Sequence, residues 1–224
     1  MSGDRSSAGR AAFVGTLDRG GGGALGRRVR DLRASRGVSQ EELAATLGVA
    51  RETLGWLERG KRENPRLRLL ADLSQALNVS TGDLADAYLG PTAAPVTNAD
   101  NGQLTDAAAA AGSHENLHPL GPLAVKGSEG MGVVLRTFRV DLGASLEGTV
   151  SRARTQRRYL EAVEAGMVPS PGLLSVTRLA HAIDAHHPDL QRTALRVRLL
   201  VQVYAGEITA FTAIHDHRGA RRTQ

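Results

Sequence analysis

The side chains with chemistry to offer fall into two groups. Between positions 40 and 66 the chain carries Gln40, Arg51, Glu52, Thr53, Trp56, Lys61, Arg62, Asn64 and Arg66. These are amide, guanidinium, carboxylate, hydroxyl and ammonium groups with a single indole, suited to holding an acidic or hydrogen-bonding partner. The second group is His181, His186, His187, His215 and His217. Neutral imidazoles in HxH or HH pairs can bind a metal. Here no cysteine and no carboxylate triad completes a ligand set, and capping and exposure suffice to explain His186 and His187. No metal site and no cofactor is assigned. There is no phosphate loop, no nucleophile with a base at suggestive spacing and no pair of acids at a strand end, so an enzyme is not expected.

Composition sets the frame for these groups. The 224 residues allow one large or two small domains. Hydrophobic content of 41% permits a packed core, but aromatics make up only 3%, so that core must be built from Leu, Val and Ala, as in small helical domains. Lys plus Arg outnumber Asp plus Glu by 28 to 23, nearly all of the cations being arginine. An acidic partner fits this balance, as does the composition of a GC-rich genome. Without cysteine, disulfides, thiolate metal sites and cysteine catalysis are excluded. The first residues lack an apolar leader segment, and no run approaches 18 apolar residues, so a cytoplasmic protein with no membrane partner is expected.

The elements that position the first group are helices. Residues 1–23 end in four consecutive glycines, which cannot hold a helix cheaply, and are read as a mobile tail carrying Arg5, Arg10 and Arg19. Leu25, Val29 and Leu32 then lie at i, i+4 and i+7 on one helical face. Gly37 stops that helix, and Ser39 with Glu42 forms a capping box for the next. Leu43, Ala44 and Leu47 face inward, and Gly48 supplies the left-handed turn. Val49, Leu54 and Leu57 continue the apolar face through residues 50–59. A fourth helix carries Leu67, Leu70, Leu73 and Leu77, and Ser80 caps a fifth that is sealed by Leu84.

This stretch resembles a lambda-repressor-like, Xre/Cro-type helix-turn-helix domain. The matching motifs are Ser39-Gln40-Glu41-Glu42-Leu43-Ala44, Leu47-Gly48-Val49, Glu58-Arg59-Gly60-Lys61 and Leu73-x-x-Ala76-Leu77-x-Val79, in order over about 60 residues. The resemblance implies that Gln40 clamps a DNA phosphate. It implies that Arg51 and Glu52 reach base edges in the major groove, where Arg matches guanine and Glu accepts from cytosine N4. Thr53 falls where the family touches phosphate or a thymine methyl. Trp56 falls at another base-facing position, or else packs over the following loop. Lys61, Arg62, Asn64 and Arg66 match the loop that touches backbone or minor groove. Two positions depart from the pattern: Ala50 replaces a Ser or Thr cap, and Gly55 interrupts the base-reading helix at about 1 kcal/mol relative to Ala.

From 90 to about 130 the chain turns rich in Ala, Gly, Pro and Asn, with no apolar period, and reads as a flexible linker. Beyond it the sequence repeats. At a fixed offset of 106, Gly26 falls on Gly132, Arg30 on Arg136, Arg33 on Arg139, Gly37 on Gly143, Ser39 on Ser145 and Glu41 on Glu147. Arg51, Leu54, Glu58, Gly60, Leu67, Leu73, Ala76, Asp83 and Leu84 likewise fall on Arg157, Leu160, Glu164, Gly166, Leu173, Leu179, Ala182, Asp189 and Leu190. Residues 131–190 are therefore expected to form a degenerate second copy. In it Leu146 replaces Gln40, Arg154 replaces Gly48 so that the tight turn must change, and Gly148, Thr149 and Val150 weaken the second helix. Its base-reading helix offers Gln156, Arg157, Arg158 and Tyr159 beside Arg152 and Arg154, either a second DNA surface or the solvated face of a pairing module. Residues 191–215 suggest a sixth helix broken by Gly206, serving a dimer interface or packing on the second copy. Residues 216–224 read as a basic tail.

The expectation is an all-α protein: a tail (1–23), a helix-turn-helix bundle (24–89), a linker (90–130), a second bundle (131–190), a helical extension (191–215) and a tail (216–224). Its partner is double-stranded DNA, bound as a homodimer or as a two-headed monomer. The function expected is that of a sequence-specific transcriptional regulator of bacterial type, with repression favoured because occlusion needs no activating surface. The alternatives are a ligand- or metal-responsive switch, or an adaptor that docks another protein through its second half.

Overall fold

The structure, a computed structural model, describes residues 21–90, 126–184 and 190–222. These form eleven α-helices: α1 (Gly22–Ser35), α2 (Gln40–Thr46), α3 (Arg51–Glu58), α4 (Leu67–Ala76), α5 (Thr81–Leu89), α6 (Gly127–Asp141), α7 (Leu146–Ala153), α8 (Arg157–Glu164), α9 (Leu173–Ala182), α10 (Leu190–Ala205) and α11 (Ala210–Arg222). The expected tail Met1 to Gly20, most of the linker, and His186 and His187 lie outside the described residues. No helix among the described residues is long and apolar enough to cross a membrane.

The first bundle, α1–α5, follows the apolar period. Leu25, Val29, Leu43, Leu54, Leu57, Leu67, Leu70, Leu73, Leu77, Leu84 and Tyr88 are all buried, each Leu contributing about 1.5–3 kcal/mol. The capping box forms as expected: the Glu42 N–H donates to Ser39 Oγ at 3.1 Å, and the Ser39 N–H donates to Glu42 Oε2 at 2.7 Å. Ser80 caps α5 by accepting from the Gly82 N–H. The glycine run is not a loose tail at its end, because α1 begins at Gly22. A Cβ there would stand 2.4 Å from the Arg62 carbonyl oxygen, so glycine is the residue that lets this helix start touch the loop after α3.

At the offset of 106 the helices α6 to α9 fall where α1 to α4 stand, within a residue or two. Arg51–Glu58 and Leu67–Ala76 map residue for residue onto Arg157–Glu164 and Leu173–Ala182. The helix contacts repeat as well, with α1 on α3 and α5 matched by α6 on α8 and α10. Gly26 and Gly132 mark the same crossing, where a Cβ would lie 2.2 Å from the Leu57 carbonyl oxygen in one case and 2.5 Å from that of Val163 in the other. One buried ion pair recurs. Arg33 Nε lies 2.7 Å from Glu58 Oε1, and Arg139 Nε lies 2.6 Å from Glu164 Oε1, each arginine also donating to a carbonyl five residues on.

Three expectations for the second half are corrected. The turn after α7 does not change, because Arg154 adopts the left-handed conformation of Gly48, with φ of 51° against 63°. Ser145 caps α7 through the Gly148 N–H, and the helix runs to Ala153 despite Gly148, Thr149 and Val150. The basic end is not a tail throughout: α11 extends to Arg222, with Ala210, Ala213, Ile214 and His217 buried at i, i+3, i+4 and i+7. The His217 ring packs tilted against Phe138, with centroids 4.2 Å apart, and Arg218 pairs with Asp141 at 2.8 Å.

The two sets pack directly against each other. α10 takes the place of α5 in the second set and lies along α5 and α4 of the first. Arg198 pairs with Asp83 at 3.3 Å and also with Asp86, while Glu207 accepts from the Thr81 N–H at 2.6 Å and so caps α5. The helical extension thus covers the first bundle, where the sequence left open a dimer interface or packing on the second copy alone.

Candidate nucleic-acid interface

The site is built on the turn between α2 and α3. Gly48 in its left-handed conformation reverses the chain, and α3 starts without a side-chain cap because Ala50 has no acceptor to give. Leu54, Leu57 and Glu58 point into the bundle; Arg51, Glu52, Trp56 and Arg59 are exposed, and Thr53 is half-buried. Glu52 and Trp56, four residues apart, share one outward face. Trp56 is 48% exposed, so the indole stands on that outward face and is only half covered.

Glu58 fixes this helix. Its carboxylate accepts from Arg33 Nε at 2.7 Å and Nη2 at 3.2 Å, and from Gln40 Nε2 at 2.6 Å. The Arg30 guanidinium also donates to the Glu58 carbonyl at 3.1 Å. Burial pushes the Glu58 carboxyl up. The hydrogen bonds from Arg33 and Gln40 and the charges of Arg33 and Arg30 outweigh it and hold the group below its ordinary value. One ionised carboxylate therefore locks α1, the start of α2 and the end of α3 together, and it aims the Gln40 side chain. This positioning set, Arg33 and Glu58 above all, escaped the sequence reading. Its signal was present in the recurrence of the same pair, 25 residues apart, as Arg139 and Glu164.

The expected loop residues divide. Lys61 is exposed beside α3 and Arg62 is half-buried. Asn64 and Arg66 are engaged elsewhere: Asn64 Oδ1 accepts from the Leu174 N–H at 2.9 Å, and Arg66 Nη1 donates to the Ser170 carbonyl at 3.0 Å. The structure thus gathers Gln40, Arg51, Glu52, Thr53, Trp56, Lys61 and Arg62 around one turn, and turns Asn64 and Arg66 toward the second set of helices.

In that second set Arg154, Gln156, Arg157 and Arg158 are exposed and Tyr159 is half-buried. Arg157 is held between Glu147 at 2.9 Å and Glu161 at 2.8 Å. Arg158 Nε donates to Gln156 Oε1 at 2.7 Å. Among the described residues no three His, Cys, Asp or Glu side chains gather as a metal site.

A short capped helix, a left-handed turn and a second helix with a polar outward face define the class of helix-turn-helix proteins. A family model described as a helix-turn-helix domain matches residues 24–87. An HTH-type transcriptional regulator of Archaeoglobus fulgidus is 47% identical over 57 residues, covering 25% of this chain and 80% of the relative. The regulator YazB of Bacillus subtilis is 40% identical over 60 residues, covering 27% of this chain and 86% of its own length. The regulator SinR of the same organism is 37% identical over 62 residues, 28% of this chain and 56% of SinR. The chain belongs to the family of HTH-type transcriptional regulators. No solved structure matches it.

Proposed function

We propose that this protein is a sequence-specific DNA-binding regulator that inserts α3 into the major groove and represses by occupying its operator. The observation that carries the reading is the outward face of α3, where Arg51, Glu52 and Trp56 stand exposed on a helix whose other face is locked into the core. Arg51 donates to guanine O6 and N7, and Glu52 accepts from cytosine N4. Thr53 and Trp56 meet phosphate or thymine methyl groups. Gln40, Lys61 and Arg62 hold the backbone on either side, which positions the domain without reading sequence. Residues 127–205 are a diverged copy of the same five-helix unit, a reading supported by the shared offset of helices, ion pair and left-handed turns.

Genome-wide mapping of bound sites tests the proposal. A shared motif upstream of genes whose transcription rises when the protein is removed supports a repressor. Bound sites without a common motif contradict sequence-specific reading. Transcripts that fall instead mark an activator.

A further inference from the structure

The contact between the two sets of helices is reciprocal. The Leu67 N–H donates to the Pro171 carbonyl at 2.9 Å, and the Leu173 N–H donates to the Pro65 carbonyl at 2.8 Å. Arg66 and Gly172 form an antiparallel bridge. Asn64 accepts from the Leu174 N–H, and Ser170 Oγ accepts from the Arg68 N–H at 3.1 Å. The offset of 106 carries the Leu67–Pro171 bond onto Leu173–Pro65 and the Arg68–Ser170 bond onto Leu174–Asn64, and makes Arg66 the equivalent of Gly172. Contact of i with j matched by j with i is the mark of a two-fold interface. Here both sides belong to one chain, and α10 packs on α4 and α5 beside this contact.

Resting on the DNA-reading function above, we propose that a single chain binds one composite operator of two unlike half-sites, α3 on one and α8 on the other. The reciprocal contact relates α3 to α8 as the two halves of a two-fold dimer are related, and the half-sites read by such a pair lie about one helical turn apart. The half-sites differ because the faces differ. Arg158, a donor, stands where Glu52, an acceptor, stands in the first unit, so the two helices demand opposite patterns at that base pair. Arg154 and Gln156 replace Gly48 and Ala50 and add donors at the start of α8. Leu146, Met167 and Val168 replace Gln40, Lys61 and Arg62, so the second unit grips fewer phosphates, and Met167 is 76% exposed. Arg157 is the same residue as Arg51, but Glu147 and Glu161 bind its guanidinium.

Selection of the full chain on a pool of random-sequence duplexes, followed by the mass of the complex on the winning duplex, tests this. The expected result is one chain per duplex and two blocks of preferred sequence about one turn apart that are not inverted repeats. Arg158→Ala, a change at an exposed position, is expected to erase the preference in one block and leave the other intact. Two chains on an inverted repeat would overturn the proposal. So would a single block indifferent to Arg158→Ala. Failure to enrich any sequence has a different signature and removes the DNA-reading function itself, and the composite operator with it.

Discussion

In the first unit the Glu58 carboxylate accepts from Arg33 and Gln40 while only 2% exposed, so its loss is felt by three helices. Glu58→Gln leaves the Arg33 guanidinium without its counter-charge and is expected to cost on the order of 3 kcal/mol in chemical denaturation. The carboxyl is held below its ordinary value in the fold. Its ionisation therefore stabilises the protein at pH above about 4.3, and that contribution is lost as pH falls through the lowered value. In Glu58→Gln the loss of stability between about pH 5 and pH 3 should be shallower than in the parent. Arg154 poses the opposite case, a residue carrying a Cβ in the left-handed region where glycine, Gly48, sits in the first unit. Arg154→Gly relieves about 1 kcal/mol of backbone strain, partly offset by the added freedom of the unfolded chain. It is expected to raise the melting temperature slightly while weakening DNA binding at low salt.

At the scale of elements, the caps decide how the units meet. The second N–H of α4 is capped by Ser170 and that of α9 by Asn64, each from the opposite unit. Ser170→Ala and Asn64→Ala are each expected to cost about 1 kcal/mol, read as a shift of the denaturation midpoint. The helices themselves were legible in the residues: Leu25, Val29 and Leu32 marked the period of α1, Ser39 with Glu42 the start of α2, and the offset of 106 the helices Arg157–Glu164 and Leu173–Ala182. The pairing of the units was not. It runs through backbone groups of Pro65, Leu67, Pro171 and Leu173, which carry no side-chain signal, and through Asn64, whose bond reaches a partner 110 residues away. α11 was hidden for another reason. Its inward face is Ala210, Ala213, Ile214 and His217, where two alanines and a histidine beside one large apolar residue weaken the apolar period. On α3, sequence located the outward side chains but not the Glu58 cluster that aims them, because that cluster draws on three separate helices.

At the scale of the molecule, α10 makes the two units one body, with Arg198 on Asp83 and Asp86 and Glu207 on the start of α5. Arg198→Ala leaves two carboxylates without their partner, a loss between the surface and buried limits and on the order of 2 kcal/mol. It is expected to separate the unfolding of the units, which fluorescence of Trp56 and circular dichroism would then report at different denaturant concentrations. Binding to DNA is expected to weaken with salt, because in the proposed mode the cations Lys61 and Arg62 neutralise phosphates. The most direct test of the account is competition binding by the full chain and by its Arg51→Ala, Glu52→Ala variant, using the preferred duplex and copies mutated base by base. The parent is expected to lose about 1–3 kcal/mol for each mismatched base pair under α3, and the variant to discriminate there no longer. A variant that keeps the parent's full base preference would show that α3 is not what reads the sequence.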